Sequence, residues 1–206
     1  MHNNNVKREI LIMPTWREWI ADEDERLFKY EGTTNIAKTN YFVKWTSFIT
    51  DPRLKALANR YNCRFIFFPH RNMQKYIDFL PDSTDYIEIA DAKDYDVQEL
   101  MKRASMMITD YSSVFFDMVY MKKPIVFYQF DYDTFREAQY DKGYFQYGNN
   151  PFGKSYKKKE QVFDEIEIII KRGFAINDKY LTAHSEYFEL FDKDNCKRVF
   201  DIVRAL

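Results

Sequence analysis

The chain has 206 residues, of which 46% are hydrophobic and 18% aromatic, and its formal net charge at pH 7 is -1. This composition is typical of one globular domain with a substantial core, and it excludes an intrinsically disordered chain. The nearly balanced charge gives no general attraction to nucleic acid or anionic lipid, so an anionic ligand must be bound by local groups. The two cysteines, Cys63 and Cys196, give no disulfide or metal framework and favour a reducing compartment.

The first residues are polar and give no sign of a secretory signal peptide. We expect residues 1–8 to form a disordered lead-in, which contains His2, and residues 9–206 to form a single domain. No apolar run approaches the about 20 residues that a membrane span needs. The sequence therefore predicts a cytoplasmic protein.

Short apolar runs and helical spacing alternate along most of the chain. Buried strands are predicted at 9–13, 64–68, 86–89, 106–109 and 125–128, and helices at about 38–48, 52–61, 73–80, from 96 onward, and 112–122. Strands separated by helices predict βαβ units and a mainly parallel, Rossmann-like sheet flanked by helices, an α/β fold. With five glycines in the chain, a dinucleotide-binding fingerprint and a Walker motif are excluded.

The periodicity is lost between Asp131 and Lys159, where Tyr, Gly, Asn and Lys dominate. A loop of this length in a compact domain is usually functional or mobile. Three further helices are predicted at about 160–172, 179–188 and 195–206, and we expect them to pack on the domain. His184 lies in one of these helices, far from any predicted strand end, and is interpreted as structural.

The chain is organised around the stretch from Met106 to Asp117, where a buried strand gives way to small polar residues and then a helix. The residues from Asp110 to Ser113 are predicted to cap a helix that begins at about Ser112. A helix N-terminus at the carboxyl end of a strand is where α/β folds bind phosphate. A well-capped helix without a ligand explains the same pattern, and spacing alone leaves both interpretations open.

Two further candidates follow predicted strands at the same edge of the sheet. Arg17 follows the first strand, and His70 follows the second. An isolated arginine is usually a surface residue in a salt bridge, and a lone histidine is commonly a surface or satisfied core residue. Position at the strand ends is the observation that favours a functional role for both.

These segments, taken in order, resemble the CDP-glycerol glycerophosphotransferase family. The matching residues are Pro14-Thr15-Trp16-Arg17, Phe68-Pro69-His70, Ile108-Thr109-Asp110-Tyr111-Ser112-Ser113 with Asp117, Lys123-Pro124-Ile125-Val126-Phe127-Tyr128, Phe130-Asp131 and Lys142-Gly143-Tyr144-Phe145. The resemblance implies a GT-B architecture, of which this chain matches only the C-terminal, nucleotide-binding half. The His-Gly motif of the family's other half, whose histidine is thought to be the catalytic base, does not occur here.

The resemblance further implies transfer of glycerol phosphate from CDP-glycerol, or a related CDP-alditol, to a polymer or glycolipid acceptor with release of CMP. The sequence shows no metal-ligand cluster and no basic excess, so we expect no metal, no cofactor and no nucleic acid partner. The missing half would come from the same or a separate chain, and the complete protein would sit peripherally on the inner face of the plasma membrane. Carried over by residue, Arg17 and His70 are catalytic, and the groups that bind diphosphate and ribose are Arg17, His70, Thr109, Ser112, Ser113 and Asp117.

Two other functions fit the same features. The chain could be the nucleotide-sugar-binding half of another GT-B glycosyltransferase, or a non-catalytic nucleotide-binding module. Asp131 and Asp133, which follow the fifth predicted strand, are alternative candidates for a base. The chain departs from the family pattern at Trp16, where the family usually has tyrosine, and in the segment from Asn150 to Gly153.

Overall fold

The computed structural model describes residues 7–20, 36–138, 145 and 150–206. These residues form a six-stranded sheet with the strand order β3-β2-β1-β4-β5-β6, in which every neighbouring pair is parallel. The strands are β1 (Arg8–Ile12), β2 (Cys63–Phe67), β3 (Ile87–Ile89), β4 (Met106–Thr109), β5 (Ile125–Tyr128) and β6 (Gly153–Tyr156). The expected α/β, Rossmann-like fold is confirmed.

Helices connect the strands and cover both faces of the sheet. The α-helices are α1 (Asn40–Ile49), α2 (Pro52–Tyr61), α3 (Val97–Arg103), α4 (Phe115–Tyr120), α5 (Tyr132–Ala138), α6 (Lys159–Lys171), α7 (Asp178–Tyr187) and α8 (Asn195–Ala205). The segment predicted as a helix at 73–80 is a 3-10 helix at Arg71–Phe79. Helices α1, α2 and α6 pack on one face, and α3, α4 and part of α7 pack on the other.

Alternate residues of each strand enter the two cores, because successive side chains of a strand point to opposite faces. Ile10 and Ile12 of β1 belong to the same core as Trp45 of α1, whereas Leu11 belongs to the core that includes Met118 of α4. With both faces covered, strands β1 to β5 are mostly apolar, as in other buried parallel sheets. This double burial is why the five predicted strands were visible as continuous apolar runs.

Local capping explains several helix boundaries. The Asp51 carboxylate accepts from the Arg53 backbone N–H at 2.9 Å, and α2 begins with Pro52, which has no N–H to satisfy. Asp96 likewise accepts from two backbone N–H groups at the start of α3. Gly173 adopts φ +67° just after α6, a backbone conformation that glycine enters without strain.

The predicted loop between Asp131 and Lys159 was wrong in two places, because α5 and β6 lie within it. Strand β6 has the sequence GKSY, which carries almost no apolar signal, and among the described strands it pairs with β5 alone, at the edge of the sheet. A Cβ at Gly153 would lie 2.3 Å from the Ile125 carbonyl oxygen. Glycine is therefore required for this strand to approach β5.

The chain termini also differ from the sequence interpretation. Arg8 already belongs to β1, and the rest of the predicted lead-in, apart from Lys7, lies outside the described residues. Helix α6 buries an apolar face that includes Phe163 and Ile166, but α8 buries no residue, contrary to the expectation that all the last helices pack on the domain. Among the described residues, no helix has the length and apolarity needed to cross a membrane.

Candidate functional site

The site lies at the carboxyl edge of the sheet, where the segments after β1, β2, β4 and β5 meet. The chain leaves β1 between β2 and β4, which is the point where the strand order changes direction. In open α/β sheets, the crevice at this switch point is where ligands bind. The Thr15 backbone N–H donates to Asp110 Oδ1 at 2.7 Å, and the Trp16 ring stacks on the His70 ring, so the three central segments are in contact.

Arg17 lies at the centre of this edge but is fully buried. Its guanidinium donates to the Thr15 carbonyl oxygen at 2.6 Å, to Asp110 Oδ2 at 2.8 Å, and to both carboxylate oxygens of Asp131 at 2.8 and 3.0 Å. Five aromatic rings surround it within 6.0 Å: Trp19, Tyr41, Tyr111, Phe130 and Phe135. The arginine therefore joins the segments after β1, β4 and β5 from inside the protein.

Charge compensation explains how this arginine is tolerated in the core. Burial by itself lowers the pKa of Arg17, but Asp110 and Asp131 outweigh that effect and raise the pKa above its ordinary value. Burial, followed by the nearby carboxylates, raises the pKa of Tyr111, whose hydroxyl donates to Asp131 at 3.2 Å. One guanidinium between two carboxylates leaves the cluster with one net negative charge.

Asp110 has a different role from the helix cap that was predicted. Its Oδ1 accepts from the backbone N–H groups of Thr15 and Tyr111, each at 2.7 Å, and its Oδ2 accepts from Arg17. Its carbonyl oxygen accepts from Gln129 at 2.9 Å. The residue thus fixes the loop after β4 to the loops after β1 and β5.

The helix after this loop also begins later than expected. Helix α4 starts at Phe115, and its N-cap residue Val114 has a helical conformation and no side-chain capping bond. Ser112 Oγ instead accepts from the Val114 backbone N–H at 3.3 Å, in a turn that precedes the helix. The prediction of a helix from Ser112 was therefore wrong, because local side-chain bonds in the turn replace helical ones.

His70 is half-buried and held on two sides. Its Nδ1 accepts from the Asn72 backbone N–H at 3.2 Å, and its ring stacks on Trp16 with centroids 6.0 Å apart and 13° between the planes. An acceptor at Nδ1 places the proton of the neutral ring on Nε2. Burial lowers the pKa of His70, and Asp110 raises it by a smaller amount. Burial thus favours the neutral imidazole in the free protein.

The remaining predicted residues divide into buried and accessible groups. The Thr109 hydroxyl is fully buried and donates to the Met13 carbonyl oxygen at 2.7 Å, a bond between β4 and the segment after β1. Ser112 is half-buried, whereas Ser113 and Asp117 are exposed. The structure thus brings His70 and Ser112 to one edge, with Arg17 and Thr109 beneath the surface.

The two alternative base candidates are both paired. Asp131 accepts from Arg17 and Tyr111 and is almost fully buried. Asp133 is exposed, and its carboxylate lies 2.8 Å from Lys157 Nζ. Among the described residues, no group of three or more His, Cys, Asp and Glu side chains is placed to hold a metal ion.

Sequence reasoning missed the pairing of Arg17 with Asp110 and Asp131. A signal was present, because each of the three residues closely follows a buried strand, and strands β1, β4 and β5 are neighbours. The stack of Trp16 on His70 could have been anticipated in the same way, because Trp16 follows β1, His70 follows β2, and these two strands are neighbours. Strand order was needed to use either signal, and the local pattern does not give it.

The fold and the site define an α/β domain whose candidate binding residues lie at the switch point of its sheet. Residues 3–205 match the family described as CDP-Glycerol:Poly(glycerophosphate) glycerophosphotransferase, and the chain belongs to this family. The resemblance inferred from the motifs is confirmed.

Two relatives show how the chain compares with curated proteins. It is 31% identical to the minor teichoic acid biosynthesis protein GgaB of Bacillus subtilis (strain 168) over 97% of this chain and 22% of that protein. It is 29% identical to a teichoic acid poly(glycerol phosphate) polymerase of Bacillus spizizenii over 96% of this chain and 45% of that protein. The chain thus spans less than half the length of these relatives.

A solved structure shows the same fold. The structure of the wall teichoic acid polymerase TagF superposes with a TM-score of 0.65 and 22% identity, covering 97% of this chain and 44% of that one. The match shows that the two chains share this fold, and it covers less than half of the TagF chain.

Proposed function

We propose that this chain is the donor-binding domain of a glycerophosphotransferase, with CDP-glycerol or a related CDP-alditol as the donor. The observation that carries the proposal is the position of His70 after β2 and of Ser112 and Ser113 after β4, on either side of β1 at the carboxyl edge, in a chain of this family. Glycerol phosphate passes to a polymer or glycolipid acceptor, and CMP leaves. The acceptor site and the catalytic base belong to a second domain, in the same or a separate chain.

His70 is proposed to bind the donor diphosphate through Nε2. Its Nδ1 is occupied by the Asn72 backbone, so Nε2–H is the donor that remains for a phosphate oxygen. In the reaction, the acceptor oxygen attacks the β-phosphorus and the bond to the bridging oxygen breaks. Negative charge grows on that oxygen and on the departing CMP, and a fixed donor at this place stabilises the transition state more than the ground state.

Ser112 and Ser113 are proposed to complete the diphosphate site, with Asp117 near the ribose. Their hydroxyls and the backbone N–H groups of the turn are donors at the carboxyl end of β4. The exposed Arg71, which follows His70, brings positive charge to the same edge. This positive charge is needed because the buried cluster of Arg17, Asp110 and Asp131 carries one net negative charge, which repels an anionic ligand.

Arg17 and Thr109 are proposed to act as positioning residues. The guanidinium of Arg17 is buried and bonded to three partners, so the geometry does not favour its direct contact with a diphosphate. That contact stays a prediction. Both side chains hold the segment after β1 against β4, and that segment carries Trp16 and, through the stack, His70.

Isothermal titration calorimetry with a panel of CDP-glycerol, CDP-ribitol, UDP-glucose and UDP-N-acetylglucosamine tests the proposal. We expect the CDP-alditols to bind and the UDP-sugars to bind at least about tenfold more weakly, a difference of about 1.4 kcal/mol. Preference for a UDP-sugar would assign the chain to another type of glycosyltransferase. Binding of CDP-glycerol without CMP release after the acceptor domain is added would make it a non-catalytic module.

A further inference from the structure

Thr15 lies directly at the switch point and is held by its backbone. It follows β1, and its N–H donates to Asp110 Oδ1 at 2.7 Å while its carbonyl oxygen accepts from Arg17 Nη1 at 2.6 Å. The next residue, Trp16, stacks on His70. Thr15 is therefore fixed between the loop after β4 and the aromatic pair beside β2.

The hydroxyl of Thr15 is buried and has no hydrogen-bond partner among the described residues. The residue as a whole is 7% exposed. Buried polar groups are nearly always partnered, and an unpartnered one costs free energy on folding. Thr109 in the neighbouring strand shows the usual outcome, because its hydroxyl donates to the Met13 carbonyl oxygen at 2.7 Å. The Thr15 hydroxyl thus makes no hydrogen bond within the described part of the fold, and a ligand could supply its partner.

We propose that the Thr15 hydroxyl is a binding group for the donor, donating its hydrogen to an oxygen of the diphosphate. The inference rests on the proposed function, since it assigns a further contact in the same site. A diphosphate oxygen is a matching partner because it accepts hydrogen bonds, and the Thr15 hydroxyl has a hydrogen to donate beside the segment that carries Trp16 and His70.

Substitution of Thr15 by valine tests the assignment, because it removes the hydroxyl and keeps the shape of the side chain. We expect Thr15→Val to weaken CDP-glycerol binding by about 10-fold to 100-fold, as for a lost hydrogen bond to a charged group. The thermal midpoint of the free variant should equal or exceed that of the wild type, because an unpartnered buried hydroxyl is removed. Thr15→Ser, which keeps the hydroxyl, should recover most of the affinity.

Thr50→Val is the matched control, because it makes the same replacement of a threonine hydroxyl by a methyl group at a position outside the site. Thr50 follows α1 at the surface, and its hydroxyl donates to the Thr46 carbonyl oxygen at 2.7 Å. This variant should bind CDP-glycerol as the wild type does. Titrations with CDP and with cytidine locate the contact, since the Thr15→Val penalty should appear for CDP and be absent for cytidine.

The possible outcomes separate this inference from the proposed function. Equal affinity of Thr15→Val and wild type for CDP-glycerol would overturn the inference and leave the proposed function standing. A loss of affinity together with a lower thermal midpoint, unrescued by serine, would also overturn it, because the hydroxyl would then support the fold. A wild-type chain that binds no CDP-glycerol would overturn the proposed function, and this inference with it.

Discussion

The indole of Trp16 stacks on the imidazole of His70, with ring centroids 6.0 Å apart and an angle of 13° between the planes. The stack connects the segment after β1 to the segment after β2, and it covers one face of the histidine. The other constraint on His70 is the Asn72 backbone N–H at Nδ1. Together these contacts set the direction of Nε2–H before any ligand arrives, so less ordering is needed on binding.

Replacement of Trp16 by alanine should weaken CDP-glycerol binding by about threefold to tenfold, which corresponds to the 0.5–1.5 kcal/mol of an aromatic pair. The pKa of His70 should rise, because the burial that lowers it is reduced. An NMR titration of the histidine signals measures that pKa, and calorimetry measures the affinity. Trp16→Tyr should restore both values, since it keeps a stacking ring. A variant with alanine that binds normally and leaves the His70 pKa unchanged would contradict the positioning role.

The affinity for CDP-glycerol should increase as the pH falls from about 8 to about 5.5. Burial lowers the pKa of His70 in the free protein, and a neighbouring diphosphate raises it in the complex, so binding takes up a proton. The proton goes to Nδ1, which then no longer accepts from the Asn72 backbone N–H. Above the bound-state pKa the ring is neutral and still donates through Nε2, so the affinity levels off there. Calorimetry at several pH values measures this profile.

His70→Asn is the matched variant for the pH experiment. Asparagine also accepts a backbone N–H at the start of a helix, so the bond from Asn72 is retained while the titrating ring is lost. This variant should bind more weakly at every pH and show a flat profile over the same range. A wild-type profile as flat as that of the variant would remove His70 from the diphosphate site.

Substitution of Arg17 by alanine should reduce the free energy of unfolding by about 3–5 kcal/mol, because Asp110 and Asp131 would be left buried without their partner. Urea denaturation monitored by tryptophan fluorescence measures this loss. Arg53→Ala is the control, since Arg53 pairs with Asp164 at the surface and should cost about 0–1 kcal/mol. If Arg17→Ala folds with wild-type stability and loses only ligand binding, Arg17 contacts the ligand directly.

The chain alone should bind CDP-glycerol but release no CMP from it when a glycerol-phosphate primer is present. Transfer needs an acceptor hydroxyl in line with the β-phosphorus and a base to accept its proton. Asp131, which follows β5 at this edge, is already bonded to Arg17 and Tyr111. A coupled assay measures the CMP that is released. The positive control is the same assay with a separately expressed acceptor domain added, which should release CMP. Primer-dependent turnover by residues 1–206 alone would show that the base is in this chain, with Asp133 the first residue to replace.

The sequence by itself determined the layered α/β architecture and the family. Buried parallel strands need apolar residues on both faces, and helices between them need one apolar side, so both leave a pattern that can be recognised locally. The same holds for caps such as Asp51 and Asp96, whose bonds reach only two or three residues along the chain. The strand ends that carry Trp16, His70 and Ser112 could therefore be located without coordinates.

Only the tertiary structure decided what each residue does at that edge. Arg17 bonds to Asp110 and Asp131, which are 93 and 114 residues away in the chain, and this pairing makes it an internal support. Strand β6 was invisible because an edge strand that includes Gly153 is recognised by its approach to β5 and not by apolar residues. The Thr15 hydroxyl, which has no partner among the described residues, could likewise be recognised only from the folded structure, because the groups around it come from distant parts of the chain. Long-range pairing depends on strand order, and strand order is a property of the assembled sheet.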